Sequence, residues 1–308
     1  MRRLPAHWLP ALLGITLFVA SLWAINQELQ QDSPAEILRV LRTTSKSSAM
    51  QAIGLTALNY GVMTGYDALA VRSVGCVLPF ANTALTAVIS YGISNTVGLA
   101  LLSSSAIRYR FYSGKLSPLQ IAQVSFFCHF SFWLGLCAVA GGIFLLQPVA
   151  VPAQIPLPFT SVQPLGIGCL AVVGGYASWN FFSGKALRLG HWVLPHVPMG
   201  LCLGQIAIAA LDWLLAAMVL YVLLPGNAIA FASFFGIYLL AQIAGIFSNV
   251  PGGLGVFETV MLLLLSPAGS SAALLGVLLV YRGIYYFLPL IVGLVLLGWY
   301  EVRGRQSR

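Results

Sequence analysis

Three charged residues stand inside long uncharged stretches, Asp212, Glu258 and Arg282, and their types point to ion-pair or anion chemistry. A guanidinium offers a planar fork of donors that fits phosphate or carboxylate, and a nearby carboxylate can hold that fork until a ligand replaces it. Just before Glu258 runs Asn249-Val250-Pro251-Gly252-Gly253-Leu254-Gly255-Val256-Phe257, where Pro removes a backbone donor and Gly permits a turn. A helix restarting near Leu254 would present unpaired N–H groups and a positive dipole end, suited to a phosphate or a carboxylate. Arg108-Tyr109-Arg110, with Lys115, forms a second basic group that could receive phosphates. Each feature also has a plainer reading: a buried ion pair that only sets helix register, a kink whose glycines let helices pack closely, and a basic anchor at a helix end.

Catalytic patterns have little support. The five cysteines (Cys76, Cys128, Cys137, Cys169 and Cys202) form no CxxC pair, the histidines form no HExxH, and GxxxxGK[ST] does not occur. No metal, cofactor or ATP use is therefore expected, and the cysteines read as buried core thiols. His129 is either a proton carrier or, as the favoured reading, a core histidine bonded to a carbonyl. An enzyme acting on lipid headgroups with Glu258 or Asp212 as general base stays an alternative, but no His, Ser or acidic cluster stands at catalytic spacing.

What must position these residues is a membrane. The 308 residues include 15 basic and 7 acidic ones, or 7% charged, where a soluble domain carries roughly 25%. Hydrophobic residues make up 59%, and the uncharged runs 116–184 and 213–257 far exceed the about 20 residues one crossing helix needs. These runs are apolar on every face instead of alternating over about 10 residues, which excludes a transmembrane barrel. The fold class is thus an all-α polytopic membrane protein, a single integral membrane domain over 1–308.

Six transmembrane helices are predicted, over 7–25, 48–70, 118–146, 164–182, 199–223 and 271–300, with a short interfacial helix within 26–47. Two further apolar stretches are broken. The first, 76–107, is interrupted at Tyr91-Gly92-Ile93-Ser94-Asn95-Thr96-Val97-Gly98, leaving arms of roughly 15 and 10 residues that cannot cross about 30 Å at 1.5 Å per residue. The second, 228–265, breaks at Ser248-Asn249-Val250-Pro251-Gly252-Gly253, with a returning arm of about 12 residues. Both are predicted to be re-entrant broken-helix hairpins. Counting inward from 223, 270 and 266 puts Asp212 and Arg282 at depths of roughly 17 to 18 Å and Glu258 near about 12 Å, so the three charges could meet. A lone charge at that depth costs about 2.5–3.5 kcal/mol on insertion scales, so pairing or a wet cavity is required.

With the N-terminus inside, eleven of the 15 basic residues fall on the cytoplasmic side, which places both termini there. The net charge of +8 follows from these topology groups and implies no nucleic-acid partner. Ser94-Asn95-Thr96-Val97-Gly98 and Ser248-Asn249-Val250-Pro251-Gly252 share S-N-x-x-G at an offset of 154 residues. The order span, span, broken hairpin, span also recurs over roughly 1–147 and 164–308 in opposite orientation, an inverted-topology repeat. In transporters such repeats place the substrate near the midplane, between the halves.

Four stretches together resemble the membrane domain of the bacterial lysylphosphatidylglycerol synthase/flippase family (MprF), and more closely its stand-alone inner-membrane branch of YbhN type. They are Tyr66-Asp67-Ala68-Leu69-Ala70-Val71-Arg72, Ile107-Arg108-Tyr109-Arg110-Phe111-Tyr112-Ser113, Pro251-Gly252-Gly253-Leu254-Gly255-Val256-Phe257-Glu258, and Tyr281-Arg282-Gly283-Ile284-Tyr285-Tyr286-Phe287-Leu288-Pro289. They occur in family order across most of the chain. The resemblance implies a lipid-handling protein of the bacterial inner membrane, since in that family this domain moves aminoacylated phosphatidylglycerol between leaflets. The chain ends eight residues after Tyr300, so synthase activity is not expected. The first hairpin carries Ser103-Ser104-Ser105 where the second has Pro-Gly-Gly, a departure from strict equivalence.

The expectation is a phospholipid transporter, passive or ion-coupled, acting on a phosphatidylglycerol-type or cardiolipin-type lipid. Arg108, Arg110, Asn249, Pro251, Gly252, Gly253, Gly255, Glu258 and Arg282 are the candidate headgroup site, and Asp212, Glu258 and Arg282 its intramembrane charges. The alternative is an accessory scaffold for phospholipid synthesis, with a homo-oligomer or a lipid-synthesis enzyme as possible partner.

Overall fold

A computed structural model describes residues 45–97, 100–148, 161–183, 187–189, 192–194, 196–225, 229–248, 250–265 and 271–306. The predicted span over 7–25 and nearly all of the interfacial segment 26–47 lie outside these residues.

Helix α1 (Lys46–Ser73) opens on Ser45, whose hydroxyl accepts from the Ser47 N–H at 3.2 Å. Helices α2 (Phe80–Val97) and α3 (Ala100–Tyr112) form the first hairpin. Helix α4 (Pro118–Leu146) begins with a capping box, in which Ser117 and Gln120 each accept the other's backbone N–H, and with Pro118 in its first turn. Helix α5 (Gln163–Phe182) is followed by a two-stranded antiparallel ribbon, β1 (Leu187–Leu189) and β2 (Trp192–Leu194), with Leu187 opposite Leu194. The sequence does not announce this ribbon. Helix α6 (Met199–Tyr221) leads to the second hairpin, made of α7 (Phe231–Phe247), a 3₁₀ turn (Pro251–Gly253) and α8 (Val256–Leu265). The last run is α9 (Ser271–Arg282), a π-helical turn (Gly283–Phe287) and α10 (Leu288–Gln306).

Among the described residues, four helices are long and apolar enough to cross a membrane: α4, α5, α6 and the continuous Ser271–Arg303 run. Helix α1 has 28 residues, or about 42 Å at 1.5 Å each, but Asn59, Thr64 and Asp67 dilute its apolar character. All three are buried, so the polar groups point inward, while Met50, Ile53 and Leu58 on the same helix are exposed. Against six predicted spans, the described residues thus supply four clear ones together with α1 and the shorter apolar arms.

The first hairpin breaks later than its sequence suggests. Helix α2 continues through Tyr91-Gly92 to Val97, so its arms have 18 and 13 residues instead of roughly 15 and 10. A single glycine costs a helix only about 1 kcal/mol, and Gly92 has a packing role: a methyl there would lie 2.6 Å from the Pro289 carbonyl oxygen on α10. The second hairpin breaks at the predicted place, and its returning arm has 10 residues.

Packing is centred on α1 lying along α6, with α4 beside both, α2 on α10, and α7 against α4 and α6. Small residues set the closest approaches. A methyl on Gly135 of α4 would collide with the Ala209 side chain of α6 and lie 2.7 Å from its backbone. The usual partition of residue types is inverted. Ile167, Phe181, Leu203, Ile291, Leu294 and Val295 are exposed, whereas Asp67, Arg108, Asp212, Glu258 and Arg282 are buried. In water this surface would be a large aggregation-prone patch, and in lipid it is a solvent-matched exterior. The chain is a multi-pass membrane protein.

Candidate functional site

The two hairpins meet at Arg282. Gly252 and Gly253 both have φ +61° and Gly255 has φ +81°, backbone that L side chains rarely adopt, and this lets the chain reverse between α7 and α8 within a few residues. The turn lies against the C-terminal end of α2: a methyl on Gly252 would stand 3.5 Å from Arg282 Nη1 and 3.7 Å from the Thr96 carbonyl oxygen. Arg282 Nε donates to Glu258 Oε1 at 2.7 Å, and Nη1 donates to the Gly252 carbonyl at 2.5 Å. Nη2 is buried and has no partner among the described residues. The guanidinium carbon sits 4.7 Å from the centre of the Tyr286 ring and 5.5 Å from that of Phe257, a cation–π setting on two sides.

The predicted restart of a helix near Leu254 is present as α8, but its N-terminus already holds an anion. Glu258 Oε2 accepts the Gly255 N–H at 2.8 Å, the reach-back half of a capping box, while Oε1 holds Arg282. Glu258 therefore occupies both donors that a headgroup phosphate would use. Asn249 lies outside the described residues, and Pro251 opens the 3₁₀ turn.

Asp212 does not join this pair. Its oxygens accept from Tyr66 OH at 2.8 Å and from Asn59 Nδ2 at 3.0 Å, and Asn59 Nδ2 also donates to Tyr285 OH at 2.7 Å. Of the three charges expected to meet, Glu258 and Arg282 pair, and Asp212, the one counted to the depth of Arg282, is held by neutral donors. The setting of α6 decides this, turning Asp212 toward α1. Tyr281 and Tyr285 are core residues stacked at 5.3 Å. Tyr281 OH meets Tyr238 OH at 3.0 Å, and Gln242 donates to Tyr238 at 2.8 Å.

Arg108 stands far from the surface position its basic cluster suggests. It is fully buried and forms a two-pronged pair with Asp67, Nε to Oδ1 and Nη2 to Oδ2, both at 2.9 Å. Tyr91 OH accepts from Nη2 at 2.9 Å, and Tyr112 OH donates to Asp67 at 3.0 Å. Nη1 has no partner. This pair ties α3 to α1. Arg110, two residues on, faces outward and pairs with Glu301 of α10 at 2.9 Å through both nitrogens. His129 Nδ1 lies 2.9 Å from the Ser125 carbonyl, the arrangement favoured for a core histidine.

Asn59 is the member the sequence did not single out, and Tyr66, Asp67 and Tyr91 stood out only as parts of a family stretch or a helix break, not as partners of Asp212 and Arg108. The usable signal was an ionisable residue and an amide within an otherwise apolar helix, which by itself argues for an inward-facing partner.

The chain matches the family model described as the lysylphosphatidylglycerol synthase TM region over residues 11–293. It is 48% identical to the Synechocystis sp. protein slr0712 over 302 residues, covering 97% of this chain and 94% of that one. It is 28% identical to the inner membrane protein YbhN of Escherichia coli, covering 89% and 86%. A phosphatidylglycerol lysyltransferase of Staphylococcus xylosus is 38% identical over 105 residues, which is 33% of this chain and 12% of that protein.

Proposed function

The chain belongs to the lysylphosphatidylglycerol synthase transmembrane-region family, and from that premise we propose that it moves an anionic or aminoacylated phospholipid between membrane leaflets without making the lipid. The lysyltransferase similarity covers only 12% of the S. xylosus protein, and the family match is to the transmembrane region alone, which supports handling without synthesis. The E. coli relative's inner-membrane location supports the same site here, with the termini on the cytoplasmic side as the basic residues suggest.

The observation that carries the reading is Arg282. It is a buried cation where two broken helices meet, with one nitrogen unpartnered and the others on groups that a phosphate could replace. A headgroup phosphate reaching Nη2 would compete with Glu258 for the guanidinium and for the Gly255 N–H, freeing the carboxylate. Exchange of that kind is a binding-coupled change of partners, and the hairpin turn is the element that would shift. Corresponding packings, α2 on α10 and α7 on α4, support the inverted-repeat reading, in which a substrate path would run between the halves. In this scheme Arg110 is the basic group that an inner-leaflet headgroup meets first, and Arg108 holds the first hairpin in place.

The test is transbilayer movement of labelled phosphatidylglycerol, lysyl-phosphatidylglycerol and cardiolipin in liposomes carrying the purified protein, beside Arg282→Gln and empty vesicles. Movement above the empty-vesicle rate that Arg282→Gln abolishes is expected. Folded protein that moves none of the three would sink the transport reading and favour the scaffold role.

A further inference from the structure

Asp212 is the buried carboxylate that no cation answers. It lies within α6, is only 4% exposed, and is held by two neutral donors, Tyr66 and Asn59. The other two buried acids each have an arginine: Asp67 has Arg108 and Glu258 has Arg282. A charge in apolar surroundings without a counter-charge is costly, and the cheapest way to remove that cost is to bind a proton.

The groups around Asp212 leave that way open. From α1 come Asn59, Tyr60 and Tyr66, with Asp67 committed to Arg108. Helix α4 brings Cys128, 3.9 Å from Asp67, and α5 brings Tyr176, which donates to Gln205 of α6. Helix α7 brings Tyr238, bonded to Tyr281 of α9, and Arg282 is engaged by Glu258. The π turn brings Tyr285, whose hydroxyl accepts from Asn59, and Tyr286 beside it. Among the described residues no Lys, Arg or His faces Asp212 as a salt-bridge partner.

Asn59 makes the site able to hold either protonation state. With Asp212 ionised, Nδ2 serves both Asp212 and Tyr285, and Oδ1 is buried without a partner. A half-turn of the amide exchanges its two ends. Oδ1 would then accept from a protonated Asp212 and from the Tyr285 hydroxyl, while Tyr66 still donates to the other carboxyl oxygen. Only the proton is gained, and it is returned to water on release. A metal cation is a poorer fit, because it wants a shell of several oxygens and both Asp212 oxygens are already taken by donors. Among the described residues no group of three His, Cys, Asp or Glu could hold a metal.

We propose that Asp212 is a reversible proton-binding site in the membrane interior, and that its proton is the ion exchanged during lipid transport. The second half rests on the transport reading above, and the first does not. A route for coupling exists: Tyr285 stacks on Tyr281, Tyr281 lies 6.1 Å from Phe257, and Phe257 is one of the rings under Arg282.

The test is infrared difference spectroscopy of the purified protein as pH is stepped through neutrality, joined to lipid movement in the same preparations with and without an imposed pH gradient. A protonated-carboxyl band that grows as pH falls, disappears in Asp212→Asn and persists in Glu258→Gln is the expected result. Asp212→Glu keeps a carboxyl and should keep a band, which covers the case in which Asp212→Asn fails to fold. A band that survives Asp212→Asn, or native protein with no titrating band, overturns the proton site. For the coupling, the gradient should change the rate of movement several-fold in native protein and leave Asp212→Asn indifferent. Equal rates with and without the gradient overturn the coupling. A titrating Asp212 band in protein that moves no lipid leaves the proton site standing and removes the transport reading instead.

Discussion

Replacing Asp67 by Asn should unfold much of the first half of the bundle's advantage over the denatured state. Asp67 accepts two hydrogen bonds from Arg108, one from Tyr112 and a long one from the Cys128 thiol, and both members of the ion pair are 0% exposed. Asn keeps the volume but turns one acceptor into a donor, so an Arg108 N–H meets an N–H and the guanidinium loses its only counter-charge. Breaking a buried pair by one partner costs about 3–5 kcal/mol, and that is the loss expected for Asp67→Asn. Tyr112→Phe removes a single bond to a charged group and should cost less, about 1.5–3 kcal/mol. The double change Asp67→Leu with Arg108→Met removes both charges and their desolvation cost together, so although the Tyr91 and Tyr112 hydroxyls each lose a partner it should cost less than Asp67→Asn alone. Unfolding free energies from a denaturing-detergent titration of the purified protein in mild detergent would measure all three. A loss below about 1 kcal/mol for Asp67→Asn, or a double variant as damaged as the single one, would refute the reading of this pair as a lock between α1 and α3. Lipid movement by the double variant adds a functional outcome: it should persist, since Arg282 and not Arg108 is assigned to the headgroup.

Other outcomes follow from local geometry. Gly135→Ala would force α4 away from Ala209 and should cost about 1–3 kcal/mol or more, whereas Gly142→Ala meets nothing within 4 Å and should gain up to about 1 kcal/mol from helix propensity. Gly253→Ala places a methyl 3.1 Å from the Gly245 Cα in a left-handed backbone, costing at least about 1–2 kcal/mol and slowing lipid movement by distorting the turn beside Arg282. Breaking the exposed Arg110–Glu301 pair by Glu301→Gln should leave the unfolding curve unchanged, because solvent screens both groups. All are read by the same titration, with the Gly253→Ala variant also assayed in liposomes.

How much of this was legible in advance depends on which interactions are local. The scarcity of charge and the length of the apolar runs determined a helical membrane protein, and the predicted start of a span at Pro118 coincides with the start of α4, where Ser117 and Gln120 cap the helix within four residues. Pro251, Gly252 and Gly253 located the second break for the same reason: backbone that lacks a donor or a side chain declares itself in any context. Gly92 misled because a glycine also marks close helix contact, and its partner Pro289 lies on the last helix. The pairing of the charges was beyond reach. Depth along a helix can be counted, and it put Asp212 level with Arg282 and Glu258 nearer the surface, but rotation about the helix axis cannot be read where every face is apolar and no polar stripe marks the inside. Each residue turns a helix by about 100°, since 3.6 residues complete a turn, so one position of error sends a side chain to a different neighbour. Tertiary packing alone therefore decided that Asp212 faces Asn59 and Tyr66 across 153 and 146 residues, that Arg108 turns inward to Asp67, and that the turn of the second hairpin meets the end of α2 beside Arg282.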